Sequence, residues 1–204
     1  MNIGVLSLQG DYESHIKMLA RCGCKSATVK LPGDINRIDG LIIPGGESLT
    51  IGKLMVWVGL DKAIIDAAHN GLPIYGTCAG LILLAKEIEG IDQFRLGLMD
   101  IAVKRNAFGR QRESFESNLN IPILGRDPFR GVFIRAPIVT STKSNVNVLG
   151  SFEDKIVLVQ QDNILASAFH AELTDDFRMH QYFICFVRER QENRIRVSET
   201  VLYR

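Results

Sequence analysis

Cys78 sits in Gly76-Thr77-Cys78-Ala79-Gly80, after the apolar run Pro73-Ile74-Tyr75 and before Leu81-Ile82-Leu83-Leu84-Ala85. A short strand that turns through Gly-x-Cys-x-Gly into a helix has the pattern of a nucleophile elbow. The turn is too tight for side chains on its flanks, so glycines sit there. A cysteine at this point projects from the mouth of a helix, where free amides and the helix dipole favour thiolate over thiol. Most free cysteines are small core residues; the two flanking glycines argue for the nucleophile instead. Far down the chain stands Phe169-His170-Ala171-Glu172. In an extended segment residues i and i+2 point the same way. Glu172 can then orient the His170 imidazole, which takes the thiol proton and returns it. Taken alone, such a pair is equally a surface salt link. With Cys78 it supplies the parts of an acyl-transfer site.

Other candidates are less specific. Gly45-Gly46-Glu47-Ser48 reads as a bare turn, a phosphate cradle or a source of oxyanion-binding amides near Cys78. It lacks the Lys-Ser/Thr ending of a P-loop, which weakens the nucleotide reading. Arg105 and Arg135 each end a strand-like run and either clamp a carboxylate or lie on the surface. His15 and His180 fall on helices and His69 at a helix end, so solvated or capping roles are expected. Cys22 and Cys24 form C-x-C, but no second Cys/His pair at ligand spacing accompanies them, and no metal is expected. Cys185 is expected in the core of a helix.

The elements that must position these residues follow a β-α-β rhythm. Ile3 to Leu8 reads as a buried strand, Gln9-Gly10 as a turn, and Asp11 as the N-cap of a helix carrying Ile16, Leu19 and Ala20. Ala27 to Leu31 and Leu41 to Ile43 read as strands, with helices resuming near Leu49 and from Asp61. Gly71 and Pro73 end the second of these and open the strand before Cys78. The rhythm predicts an α/β protein with three layers, a central mostly parallel sheet flanked by helices. Ligand sites in such sheets lie at the carboxyl ends of the strands. The Gln9-Gly10, Gly45 to Ser48 and Gly76 to Gly80 turns should then share one sheet edge. The second half reads as strands at 101–103, 131–135, 146–149 and 156–159, then the run 165–169 into His170. Thr174-Asp175-Asp176 caps a last helix whose stripe is Met179, Tyr182, Phe183, Phe186 and Val187. The tail after Gln191 is polar and expected to fray. No repeat or linker is visible, so residues 1–204 read as a single domain.

Composition excludes several classes. The chain has 204 residues, 46% of them hydrophobic and 23% charged, with a net charge of +1. That balance gives no electrostatic case for nucleic acid or an anionic membrane. No apolar run approaches the ~20 residues that cross a bilayer. Met1-Asn2 leads straight into a strand-like run, with Asp11 and Glu13 close behind, so no leader is expected and a cytoplasmic setting is.

Gly76-Thr77-Cys78-Ala79-Gly80 with His170-x-Glu172 resembles the triad of class I glutamine amidotransferases. Further segments resemble one family within them, the glutaminase subunits of pyridoxal 5'-phosphate synthase (the PdxT/SNO family). They are Gly4 to Gly10, Ile43 to Ser48, Gly76 to Leu81, Arg105-Asn106-Ala107-Phe108-Gly109-Arg110-Gln111, Ser114 to Glu116, Gly131 to Pro137 and Phe169 to Asp176. The resemblance runs in order from residue 3 to about residue 187, and the Arg-Asn-x-Phe-Gly-Arg-Gln and Phe-Ile-Arg-Ala-Pro segments are specific to the family. It implies a flavodoxin-like fold and hydrolysis of L-glutamine to L-glutamate and ammonia. Cys78 would form the γ-glutamyl thioester, His170 act as general acid and base, and Glu172 orient it. Gly46, Glu47, Ser48, Arg105, Ile134 and Arg135 would bind glutamine, with Arg135 suited by charge to its α-carboxylate. The amides of Gly46 and Ala79 would form the oxyanion hole. Gln9 and Gly10 would lie where the partner's docking reorganises that region. The implied partner is a (β/α)8-barrel synthase subunit, which receives the ammonia and builds pyridoxal 5'-phosphate from ribose 5-phosphate and glyceraldehyde 3-phosphate; no cofactor is implied for this chain. Departures from the family pattern are Ala171 for the usual proline, Leu49 for threonine and Ile138 for histidine. Three other readings compete: the glutaminase subunit of a different synthase, which should lack the Arg105–Gln111 motif; a cysteine hydrolase or redox sensor on the same sheet, which would not need His170-x-Glu172; and an inactive interaction subunit.

Overall fold

The computed structural model describes residues 1–109 and 114–202. Arg110 and Gln111 of the family-specific motif lie outside the described residues. The first half alternates as expected: β1 (Asn2–Leu6), α1 (Tyr12–Arg21), β2 (Lys25–Val29), β3 (Gly40–Ile43), α2 (Ser48–Val58), α3 (Leu60–His69), β4 (Ile74–Thr77) and α4 (Ala79–Leu84). Local signals set these boundaries. Asp11 caps α1 by accepting from the Ser14 amide at 3.3 Å. Glu47 caps α2 through the amides of Leu49 and Thr50, and Gly59 at φ +74 ends it. That left-handed turn is open to glycine at little cost.

The second half contains β5 (Ala85–Ile88), β6 (Met99–Lys104), β7 (Ser114–Leu119), β8 (Phe129–Ile134), β9 (Ile138–Thr142), β10 (Asn147–Phe152), β11 (Lys155–Gln161), β12 (Ile164–Ser167) and α5 (Arg178–Leu202). Strands β5, β7 and β9 were not expected from the sequence. β7 is Ser-Phe-Glu-Ser-Asn-Leu, poor in strand formers, and gains its pairing only from the hairpin with β8. β5 starts at Ala85 directly after α4, with no turn residue to mark the change. The expected fraying after Gln191 is corrected: the backbone stays helical to Leu202. Glu192, Arg194 and Arg196 are polar but good helix formers. Cys185 is also corrected. It is exposed, because it lies on the face of α5 opposite the stripe of Met179, Phe183, Phe186 and Val187, which is buried.

The main sheet runs β2-β1-β3-β4-β12-β11-β9-β6-β5, with β10 beside β11. From β2 to β12 every pairing is parallel. Beyond β12 the pairings with β11, β9 and β6 are antiparallel. β3, β4 and β12 are buried along their whole length, as parallel strands covered on both faces by helices must be. α1 and α5 meet through their buried histidines, while α2 packs against α3 and α4. Register aligns Ile43 with Gly76, and Thr77 with Ser167. The carboxyl ends of β3, β4 and β12 therefore stop level with one another. Strand order reverses between β1 and β3, the crevice where ligands sit in such sheets.

Candidate active site

Three turns leave this edge and close on each other. Asp11 donates its amide to the Gly45 carbonyl at 3.1 Å. A Cβ on Gly10 would lie 2.0 Å from that oxygen, and one on Gly80 would lie 2.3 Å from the Ile43 carbonyl. Only glycine permits such backbone approaches. The Glu47 amide donates to Gln9 Oε1 at 2.9 Å, which joins the first turn to the second.

Cys78 stands between β4 and α4 at φ +48 and ψ −98. A non-glycine residue held at positive φ costs on the order of 1–3 kcal/mol and persists only where its surroundings dictate it. Here the Cys78 amide donates to the Ser167 carbonyl of β12 at 2.8 Å. His170 is delivered by β12 and anchored by its amide to Val132 of β8 at 2.8 Å. Its Nδ1 lies 2.7 Å from Glu172 Oε1, which leaves Nε2 for the Cys78 side, while the Cys78 thiol itself donates to the Ile134 carbonyl at 3.9 Å. The ring lies flat on the second turn, where a Cβ on Gly45 would come within 2.3 Å of Cε1.

Burial works against a charged His170, but hydrogen bonds to Cys78 and Glu172 outweigh it and hold the imidazole well above its ordinary range. Burial likewise opposes the charge on Glu172. Facing His15 and the hydrogen bond from His170 prevail and pull Glu172 down to about 2. The pair can hold a proton on the ring beside the sulfur, as nucleophilic thiol chemistry needs.

Cys78 and His170 open into a cavity of about 250 Å3 whose wall also includes Gln9, Gly46, Glu47, Ser48, Arg105, Ile134 and Arg135. Six residues expected to bind glutamine thus share one space with the cysteine. Gly10 and Ala79 adjoin it without lining it. Leu49 and Ile138 do not line it either, so those two departures leave its wall untouched. Arg105 donates to Gln93 Oε1 at 2.9 Å and lies 3.3 Å from Glu47 Oε1. Burial pushes the Glu47 carboxyl up, but the amides of Thr50 and Leu49, the Thr50 hydroxyl and Arg105 outweigh it and hold it below its usual range. Arg135 is exposed at φ +43 and has no ion pair among the described residues. A larger cleft of about 420 Å3 lies across Glu172, lined also by Ser14, Lys17, Arg21, Glu116 and Arg130, and has no cysteine among its described lining residues.

Sequence reasoning missed several neighbours. Ile82 and Asn106 line the cavity. Ile82 is four residues beyond Cys78 on a short helix, a spacing that could have flagged it. Gln93 is buried on Ser48 and Arg105, yet as one glutamine in a loop it carries no signal. The expectation for His15 and His180 is overturned: both are fully buried, with Nδ1 of His15 2.9 Å from Nε2 of His180. The signal was there, since His15 is four residues before Leu19 and His180 three before Phe183, each on a core-facing stripe. His69, exposed at the end of α3, is as expected.

A cysteine elbow and a His-Glu pair thus stand together at the carboxyl edge of a mostly parallel sheet flanked by helices, which defines the chain as an α/β protein with a thiol, an imidazole and a carboxylate at its ligand edge. Solved structures share this fold. A crystal structure described as a glutamine amidotransferase is 46% identical, with a TM-score of 0.87 over 91% of this chain and 98% of its own. The PurLQS structure from Thermotoga maritima, 17% identical with a TM-score of 0.63 over 91% of this chain and 98% of that one, shares the fold alone. Among sequences, the pyridoxal 5'-phosphate synthase subunit PdxT of Desulforamulus reducens is 57% identical over 92% of this chain and all of its own. Residues 5–189 match the model of the SNO glutamine amidotransferase family, and the chain belongs to that family.

Proposed function

We infer that the chain is the glutaminase subunit of a pyridoxal 5'-phosphate synthase, hydrolysing L-glutamine to L-glutamate and ammonia for its synthase partner. The observation that carries the reading is the Cys78-His170-Glu172 alignment opening into the cavity that also holds Glu47, Ser48, Arg105 and Arg135. Relatives about half identical along nearly their whole length bear the same subunit name.

In this mechanism the Cys78 sulfur attacks the side-chain carboxamide carbon of glutamine. The developing oxyanion is met by the amides of Gly46 and Ala79. Ala79 is the first residue of α4, where a helix leaves its N–H groups without internal partners. His170 gives its proton to the departing nitrogen, and ammonia leaves a γ-glutamyl thioester. Water then attacks the thioester while His170 takes a proton, releasing glutamate and restoring the thiol. Glu172 holds the ring with Nε2 toward sulfur. Arg135, with no ion pair among the described residues, suits the α-carboxylate of the substrate. The Glu47-Arg105 pair, steadied by Gln93 and Ser48, forms the facing wall.

Gln9 ties down the Glu47 amide, so a partner that moves the Gln9-Gly10 turn also moves the Gly46 peptide. That coupling supports partner-gated activity, with a (β/α)8-barrel as the partner. No helix of the described residues is long and apolar enough to cross a membrane, and the composition fits a cytoplasmic enzyme of one domain spanning 1–204. Glutamine carrying 15N in its amide tests the reading. With the synthase subunit and its sugar phosphates, the label should enter the ring nitrogen of pyridoxal 5'-phosphate. Unlabelled product beside labelled free ammonia would place the glutaminase in another pathway.

A further inference from the structure

Behind the triad lies a second set of buried polar groups that the reaction as described does not use. His15 of α1 is fully buried, with Nε2 3.2 Å from Thr77 Oγ1 and 3.4 Å from Glu172 Oε2. Its other nitrogen, Nδ1, faces His180 Nε2 of α5 at 2.9 Å. Tyr75 packs edge-on against both rings. Asp11 and His170 are the other charged groups that act on His15.

Proton counting fixes the arrangement. Burial pulls both histidines below their ordinary range, His180 to about 3. Each neutral ring therefore carries one N–H. Glu172 Oε2 is buried without a hydrogen bond of its own, and an ionised carboxylate only accepts. An N–H on Nε2 of His15 would face both the threonine hydroxyl and this oxygen, at 3.2 and 3.4 Å, and that is the tautomer the negative charge of Glu172 favours. Nδ1 of His15 then accepts, so His180 donates from Nε2. That leaves the bare Nδ1 of His180 unpartnered, and that atom is buried without a hydrogen bond.

We propose that His15, oriented by His180, is a positioning residue of the glutaminase: its Nε2–H is held on Thr77 beside the nucleophile and faces the outer oxygen of Glu172 across 3.4 Å. That placement fixes the carboxylate so that Oε1 stays on His170, and ties helices α1 and α5 to the geometry of the elbow. Removal of the ring takes away the N–H that faces Glu172 Oε2 at 3.4 Å, and leaves the carboxylate free to rotate away from His170. The inference rests on the triad reading above.

Two measurements test it. The first uses the wild-type protein and no turnover: 15N spectra of the histidine rings at neutral pH should show His15 and His180 protonated at Nε2 and bare at Nδ1. The opposite tautomer of His15 would overturn the proposal, even if every variant failed to fold. The second compares His15→Leu, His15→Gln and His180→Phe in complex with the synthase subunit. His15→Leu should lower kcat about 10-fold, below the 10²–10⁴ that general acid-base groups contribute, with KM within about 2-fold. It should also shift the pH profile of Cys78 alkylation. His15→Gln, which keeps a donor, should recover most of the loss, and His180→Phe should reproduce part of it. A folded His15→Leu with wild-type kcat and alkylation profile would overturn the proposal. Absence of Cys78-dependent glutamate release from the wild type would instead overturn the glutaminase reading, whatever the ring spectra show.

Discussion

The parallel half of the sheet and the antiparallel half contribute differently to the site. Strands β3, β4 and β12, buried on both faces, end in the Gly45-Gly46 turn, Cys78 and His170. Every group to which the proposed reaction gives bond making or breaking comes from there. The outer half supplies Arg105 after β6, and the separate β7-β8 hairpin supplies Ile134-Arg135 at the end of β8; both wall the cavity. The proposed chemistry thus sits on fully buried strands, where a misplacement of about 1 Å is costly, and the proposed recognition on partly buried ones. Mutations in the parallel half should act on kcat, and those in the outer half on KM.

The largest effect expected is that of Cys78→Ala, which should lower kcat by about 10⁴-fold or more with an unchanged circular dichroism spectrum. Glu172→Gln should follow, at about 10²–10⁴-fold in kcat, because the ring loses its orienting anion; steady-state kinetics with the synthase subunit reads both. Arg135→Ala should raise KM for glutamine about 10-fold or more, the value of a charged hydrogen bond, and leave iodoacetamide alkylation of Cys78 at its wild-type rate. A fall in kcat without change in KM for Arg135→Ala would erase the division between the two halves.

Stability should also depend on pH. His15 and His180 are held below their unfolded value near 6.5. The unfolded chain therefore binds more protons than the folded one as pH falls from about 6.5, and stability drops by up to about 1.4 kcal/mol per pH unit for each proton. His170 is raised, so its contribution is full below about 6.5 and is lost as pH climbs. Urea unfolding across pH should give a maximum near 6.5, and His180→Phe should flatten the acid limb only. A stability that holds level from pH 6.5 to 4.5 would contradict the buried neutral pair. The smallest effect belongs to Ala171→Pro. Ala171 opens a 3-10 turn after His170 at φ −90 and ψ 96, a setting that proline and its preceding residue both accept. A gain of about 0.4–1 kcal/mol is expected, measured by thermal unfolding.

Legibility followed the same division. The parallel half was readable because glycine turns punctuate fully apolar runs, and Gln9-Gly10, Gly45 to Ser48 and Gly76 to Gly80 had to meet at one edge. The elbow and His170-x-Glu172 were readable because their chemistry needs short fixed spacings. β7 and β9 were not, since their serine, threonine and asparagine residues gain strand structure only from pairing, β7 with the next strand β8 and β9 with β6 and β11. Gln93 was hidden for the same reason. His15 and His180 were misread because histidine counts as polar in a pattern search, while their stripe positions placed them in the core.

The most direct test of the account is glutamate release from glutamine, with and without the synthase subunit, using Cys78→Ala as the blank. The account predicts release that requires Cys78 and rises when the synthase subunit is added. Release that persists in Cys78→Ala, or none from the wild type with its partner present, would contradict it.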